Sequence, residues 1–508
     1  MNVGSLLTNS ASKHPHATAI VSGEKRLSFS ELEDRSGRLA GAMKAAGLER
    51  GDSIGILFYN SDAFVETYFA AMRIGLAATP VNFRFTGKEI AYVMNDSRPK
   101  ALFYGPEFEE TILKIRDELE SVRLFASPHR GESSLAVDYE TFLSGGKWTP
   151  CSGEVGEDNV CQIMYTSGTT GRPKGAVITH RNVIWNLFNT MFGREDRPGQ
   201  TSIIVGPLYH TAALNNHLAI QISLGGVSIL VKKFDPESML SIIEKEKATL
   251  ISGSPAMYNM LMQHPSASRY DRSSITKCTA GADKLLMETK RELMEFFPNI
   301  RGVYDVYGCT EASPSITIMN AADSLRKDGS VGKALPFLDA RVVGEEDQPL
   351  ATGEVGELVC KGPNVMRGYH GNPEATRETI RDGWLHTGDL ARIDEEGFFS
   401  IVDRKKDMIV SGGENIYPRE VEEVLYAHPG IADAAVVGIP DPLWGENVKA
   451  FVVLKPGYEG NEAMVAELQE HVKNSIAPYK YPRAVEFLTA LPRTETGKLQ
   501  RFKLRPRS

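Results

Sequence analysis

The chain has 508 residues, of which 42% are hydrophobic and 24% charged, with a net charge of −8. That length exceeds what one core usually sustains, so two or more domains are expected, and the acidic balance argues against general nucleic-acid binding. No apolar run approaches the roughly 18 residues of a membrane helix, and residues 1–16 are too polar for a secretory signal, so a cytoplasmic protein without a membrane span is expected.

Near the start, Ser28 with Glu31 three residues later predicts a capping box, Leu32, Leu39 and Met43 give the following helix its apolar stripe, and Gly47 ends it. A strand over 54–58, a helix over 63–74 stopped at Gly75 and a strand over 77–81 give a β-α-β succession. Apolar runs at 160–165 and 175–178 read as strands flanking a polar segment. Further strands are expected at 202–205, 227–231 and 249–251, alternating with helical stretches such as 285–297. The alternation predicts an α/β fold with largely buried sheets.

Five charged residues, Asp403-Arg404-Lys405-Lys406-Asp407, interrupt the apolar pattern. Beyond them, helices over 418–426 and 462–476 and strands over 431–437 and 449–454 predict a compact α+β domain of about 100 residues. From Lys480 to Ser508, eight basic residues stand against two acidic ones; this tail reads equally as a solvated surface or a phosphate contact. The five cysteines contain no C-x-x-C pair, and Cys309 is read as a small packing residue.

The most informative segment is Thr166-Ser167-Gly168-Thr169-Thr170-Gly171-Arg172-Pro173-Lys174-Gly175. Glycines let the backbone turn its N–H groups inward as an anion nest, while hydroxyls and Lys174 add donors and charge, so the loop is built to hold phosphate. A loop between two strands is not the Walker arrangement, which opens a helix with Gly-Lys-Ser/Thr. A P-loop kinase or ATPase is therefore disfavoured.

This run resembles the signature of the adenylate-forming superfamily, which includes acyl-CoA synthetases, luciferases and the adenylation domains of peptide synthetases. The resemblance continues in order through Tyr209-His210-Thr211, residues 304–311, 384–389, 403–418 and 492–498, nearly the whole chain. It implies a large N-terminal domain, 1–403, of layered α/β subdomains and a mobile C-terminal lid, 404–508, with Lys406 at the hinge. It further implies that Lys498 bridges the substrate carboxylate and the ATP α-phosphate, that Glu311 is the Mg²⁺ carboxylate and that Thr310 contacts phosphate, beside Thr166, Ser167, Gly168, Thr169, Thr170 and Lys174.

By the same resemblance Tyr307 stacks on adenine, Asp305 and the Gly281-Ala282 backbone border the purine, and Asp389, assisted by Arg404, accepts from the ribose hydroxyls. His210 is implied as a gate near the substrate carboxylate. After pyrophosphate leaves, rotation at the hinge withdraws Lys498 and brings Gly412 and Gly413 to the site, with Trp444 and Lys480 as contacts for the CoA nucleotide. The chain departs from the common pattern at Asp283-Lys284, where many relatives carry proline, and at Tyr481, where some carry a basic residue.

The expected activity is ATP-dependent acid:CoA ligation, with ATP, Mg²⁺ and CoA required and a small carboxylic acid as partner. Small Ala212, Ala213, Gly253 and Ser254, near segments that line the acyl pocket in relatives, leave room for a medium or long aliphatic chain or an aromatic acid, and Leu214, Met257 and Met260 to Met262, flexible and apolar, favour a medium- or long-chain fatty acid over an aryl or phenylpropenoic one. A stand-alone adenylation enzyme loading a carrier protein is the alternative, a nucleotide-binding relative without activity a third. Oligomeric state stays open, a homodimer being one option.

Overall fold

The computed structural model describes residues 1–128, 135–166, 173–281, 285–412, 414–493 and 499–505. Two compact units emerge: residues 1–340 with 360–386, and residues 341–359 with 387–508.

The first unit contains two sheets. In one, nine strands run in the order Lys333–Ala334, Ser315–Met319, Gly302–Gly308, Lys277–Gly281, Leu250–Gly253, Thr201–Ile204, Val227–Leu230, Thr18–Ser22 and Lys25–Ser28. Its central strands are parallel, and antiparallel pairs close both ends. The other has eight strands: Gly368–Tyr369, Lys174–Thr179, Val160–Thr166, Ala77–Pro80, Ser53–Leu57, Ala101–Tyr104, Leu124–Ser127 and Val137–Asp138. Strands such as Ser53–Leu57, Ala77–Pro80 and Ala101–Tyr104 are buried along their whole length, as parallel strands covered on both faces must be.

Local signals act as expected. Ser28 Oγ accepts from Glu31 N at 3.2 Å and Glu31 Oε2 accepts from Ser28 N at 2.8 Å, opening the helix Phe29–Ala45. The helix Asp62–Ile74 ends on Gly75, whose φ of 78° is open to a residue without Cβ. Ala212–Ala219, where the sequence set no element, winds as a π-helix, a widened turn that no period in the sequence announces.

In the second unit the strand Trp384–Ile393 pairs with Phe399–Arg404. A further sheet orders Glu414–Ile416, Ile409–Ser411, Gly445–Leu454 and Ile431–Asp441, with Ala484–Phe487 parallel to Gly445–Leu454. Helices Pro418–Tyr426 and Glu462–Ser475 cover it, burying Val421, Leu425, Leu468 and Val472 against Ile409, Val436 and Val448. The expected division at 403/404 falls inside this unit, because the pairing of the two hairpin strands carries residues 387–403 with it.

Candidate active site

Several candidate residues of the first unit lie at or just beyond the carboxyl end of a strand, where open α/β sheets bind ligands, whereas Lys174 opens its strand and Asp305 lies within one. Thr166 ends Val160–Thr166; Gly281 ends Lys277–Gly281; His210 follows Thr201–Ile204; Tyr307 and Thr310 to Glu311 follow the strand Gly302–Gly308 at its end and past it.

The phosphate-type loop springs from a hairpin. Thr166 and Lys174 form the last cross-strand pair of its two strands, with Thr166 Oγ1 at 3.5 Å from the Lys174 carbonyl. Lys174 Nζ then sits over the ring of Tyr369, 5.1 Å from its centre. The Tyr369 hydroxyl donates to Glu311 Oε1 at 2.8 Å. Burial, then the adjacent Glu311 carboxylate, holds the Tyr369 phenol well above its ordinary range, so it stays protonated and a donor. Lys174 and Glu311, far apart in sequence, are thus joined through one ring. Tyr369 is the residue that reading the sequence missed; the signal lay in Gly368-Tyr369-His370-Gly371-Asn372-Pro373, a turn-rich run that was left without a role.

Glu311 and Thr310 stand on the short turn Thr310–Ala312, which is fixed from below. The Asn364 amide, fully buried, donates to the Ala312 and Ser315 carbonyls at 2.7 and 2.9 Å. The π-helix carries consecutive asparagines to the same segment: Asn215 Nδ2 donates to the Ser313 carbonyl at 3.3 Å and Asn216 Nδ2 to Ser315 Oγ at 2.9 Å. Buried polar groups paired in this way rigidify what they support.

Mg²⁺ retains water and needs only one or two protein carboxylates beside phosphate oxygens. Glu311 fits: one oxygen is held by Tyr369, and the other takes no hydrogen bond among the described residues. No group of three or more His, Cys, Asp or Glu suited to a metal occurs among the described residues.

His210 is exposed and stacks on Tyr209 with ring centres 4.4 Å apart, and Tyr209 in turn meets Phe83 edge-on at 5.0 Å. This is an aromatic wall. Asp305 is occupied: its Oδ2 pairs with the buried Lys290 ammonium at 2.5 Å, while Oδ1 is buried with no hydrogen-bond partner among the described residues and burial raises its carboxyl above the usual range.

In the second unit, Asp389 and Arg404 are cross-strand partners, with Arg404 Nε at 2.6 Å from Asp389 Oδ1. Lys406 lies in the turn that follows, and its carbonyl accepts from Arg505 Nη2 at 3.2 Å. Burial, above all, lowers its ammonium pKa, the guanidiniums of Arg404, Arg505 and Arg501 adding to that against Asp407. Gly412, at φ 61°, donates its N–H to the Trp444 carbonyl at 2.8 Å; a Cβ there would meet the Trp444 ring at 2.7 Å. Trp444 is partly exposed under the Arg483 guanidinium, 5.2 Å from the ring centre.

Cations of the basic tail are paired within their own unit: Lys480 Nζ lies 2.7 Å from both Glu420 oxygens, and Arg493, Arg501 and Arg505 pair with Asp433, Glu422 and Asp407. Ser167, Gly168, Thr169, Thr170, Ala282, Gly413 and Lys498 lie outside the described residues. Among the described residues no helix is long and apolar enough to cross a membrane.

Comparison with known proteins adds the following. The family described as AMP-binding enzyme matches residues 7–370, and the AMP-binding enzyme C-terminal domain matches residues 420–498. The chain is 40% identical over 507 residues to a feruloyl-CoA synthase of Amycolatopsis sp, covering 99% of each. It is 36% identical to a long-chain-fatty-acid–CoA ligase of Bacillus subtilis, covering 98% of this chain and 93% of that one. The crystal structure of ATP-bound MatB from Rhodopseudomonas palustris superposes with a TM-score of 0.89 at 32% identity, over 99% and 98% of the two chains.

Proposed function

The chain belongs to the AMP-binding enzyme family as an AMP-forming acid:CoA ligase, and from that premise we propose that it activates an aryl or arylpropenoic acid. The single observation behind this substrate class is the 40% identity, end to end, with a feruloyl-CoA synthase. Three of the residues that favoured an aliphatic acid have other surroundings. Leu214 is fully buried in the main core, Met260 is 52% exposed, and Met262 packs into a second core cluster.

In the first half-reaction a carboxylate oxygen attacks the α-phosphorus of ATP, the bond to pyrophosphate breaks, and an acyl-adenylate forms. Two anions must meet: at about 4 Å a unit pair repels by about 1 kcal/mol in water and about 4 at an effective dielectric of about 20. Lys174 and Lys498 are assigned to offset that charge, Lys174 at the phosphates and Lys498 between carboxylate and α-phosphate. Glu311 would hold Mg²⁺, which when bound neutralises phosphate oxygens. Asp389 is assigned to the ribose hydroxyls, which suit a carboxylate's two acceptor oxygens.

In the second half-reaction the CoA sulfur attacks the acyl carbon and AMP leaves with the bonding pair. Rotation about Lys406, with 404–508 as the moving part, would remove Lys498 and present the Gly412-Gly413 loop. A cytoplasmic setting fits substrates of this kind.

The test is AMP release measured over ferulate, benzoate, indoleacetate, octanoate, palmitate and malonate, with and without CoA. Aromatic acids should exceed aliphatic ones in kcat/KM by about tenfold or more, a discrimination within reach of pocket shape. Palmitate or octanoate as the better substrate would overturn the aryl assignment while leaving the ligase reaction intact.

A further inference from the structure

The ATP-facing groups of the first unit belong to different sheets: Lys174 to the eight-stranded one, Glu311 to the turn after a strand of the nine-stranded one. One short segment fastens the two. Met366 N donates to the Glu311 carbonyl at 2.8 Å, Arg367 N to Val177 O at 2.9 Å and His370 N to Gly175 O at 2.7 Å. Between them Gly368 and Tyr369 pair with Val177 and Ala176. The Tyr369 N–H donates in addition to Thr376 Oγ1 at 2.9 Å, so the backbone that carries the ring is held at several points.

We propose that Tyr369 is a positioning residue that sets the separation and orientation of the Glu311 carboxylate and the Lys174 ammonium. The inference rests on the reading of Glu311 as the Mg²⁺ carboxylate. The phenol O–H fixes Oε1 and leaves Oε2 without a hydrogen bond among the described residues. The face of the same ring holds the Lys174 ammonium by cation–π attraction. The two contacts reinforce one another, because a phenol donating to a carboxylate is more electron-rich and its ring attracts a cation more strongly. Outer partners that orient a ligating carboxylate commonly matter to the metal nearly as much as the ligand does. Tyr369 touches no reacting atom in this account.

The two functions of the side chain separate by substitution. Tyr369→Phe keeps the ring and deletes the hydroxyl; Tyr369→Leu deletes both. Binding of a non-hydrolysable ATP analogue to the full chain is followed by calorimetry across a Mg²⁺ titration, with the adenylation rate measured in parallel and Glu311→Gln as reference. Tyr369→Phe should raise the Mg²⁺ concentration for half-maximal effect by about tenfold or more, leaving metal-free analogue affinity within about twofold. Tyr369→Leu should lose metal-free affinity as well, by about 2- to 30-fold, the range of one cation–π contact.

A Tyr369→Phe curve superimposable on the parent's, with Glu311→Gln displaced, would overturn the positioning role alone. Glu311→Gln unchanged as well would overturn the assignment of the metal carboxylate on which it rests. Should Tyr369→Leu fail to fold, Tyr369→Phe still decides the positioning role through the hydroxyl.

Discussion

Asp389 and Arg404 stand opposite one another in the pairing of strands Trp384–Ile393 and Phe399–Arg404, with Arg404 Nε 2.6 Å from Asp389 Oδ1. Asp389 is buried and its backbone N–H donates to Thr387 Oγ1 at 3.1 Å, so Arg404 holds its carboxylate and Thr387 its backbone, while Arg404 leads into the turn that contains Lys406. The residue assigned to ribose and the start of the hinge are thus one rigid ladder.

Asp389→Ala should weaken ATP binding by about 10- to 150-fold, the worth of hydrogen bonds to a charged group. Arg404→Met should weaken it less, since the carboxylate remains. Calorimetry with a non-hydrolysable ATP analogue measures both, and parent-like affinity in Asp389→Ala would remove ribose from this site.

Lys406→Pro should spare adenylation and slow thioester formation. Lys498→Ala should do the reverse, losing adenylation by about 10²–10³ in rate, as removal of one charge-stabilising donor commonly does, while still converting preformed acyl-adenylate. Pyrophosphate exchange and CoA consumption report the two steps separately. Equal loss of both in either variant contradicts domain alternation.

Arg501 pairs with Glu422 at 2.6 Å and faces Asp407 at 3.8 Å. Burial raises the Glu422 carboxyl, and Arg501 opposes that rise. Arg501→Gln should cost on the order of 3 kcal/mol at pH 7, as breaking a buried pair does. A raised carboxyl adds stability below its unfolded pKa and loses it as pH rises, so the deficit relative to the parent should shrink by pH 5. Denaturant unfolding of the full chain at both pH values measures this; a deficit independent of pH would show that Glu422 is not the group left uncompensated.

His180 is fully buried, its Nδ1 accepting from Val3 N at 3.0 Å, and burial pushes its pKa down to about 3. A depressed histidine contributes stability that is present above its unfolded pKa near 6.5 and lost as pH falls toward the folded value. Between those limits His180 should cost up to about 1.4 kcal/mol per pH unit. In His180→Gln the slope of unfolding free energy between pH 6.5 and 5 should fall by about one proton. An unaltered slope would assign the acid sensitivity elsewhere, His217 being the other buried histidine lowered in the same way.

Of the strands and helices that the alternation of apolar runs with helical stripes named, most lie within a residue or two of their expected bounds, because buried parallel strands and capped helices write those bounds locally: Ser28, Gly75 and Pro418 each act where they stand. The strands Val160–Thr166 and Lys174–Thr179 that flank the polar segment were legible for the same reason. The π-helix Ala212–Ala219 was not, since its widening serves the contacts of Asn215 and Asn216 with Ser313 and Ser315, about a hundred residues away. Nor were the partners of Asp305 and Lys480: a charge in sequence carries no sign of the Lys290 or Glu420 that meets it in space.

By itself the order of residues determined the fold class, the family and the kinds of group assigned to the nucleotide, because these depend on local periodicity and on motifs contiguous in the chain. Tertiary structure alone decided which of those groups meet. Tyr369 joins Lys174 to Glu311 because a strap from the eight-stranded sheet passes the end of the nine-stranded one, and such a crossing is fixed only when both sheets pack.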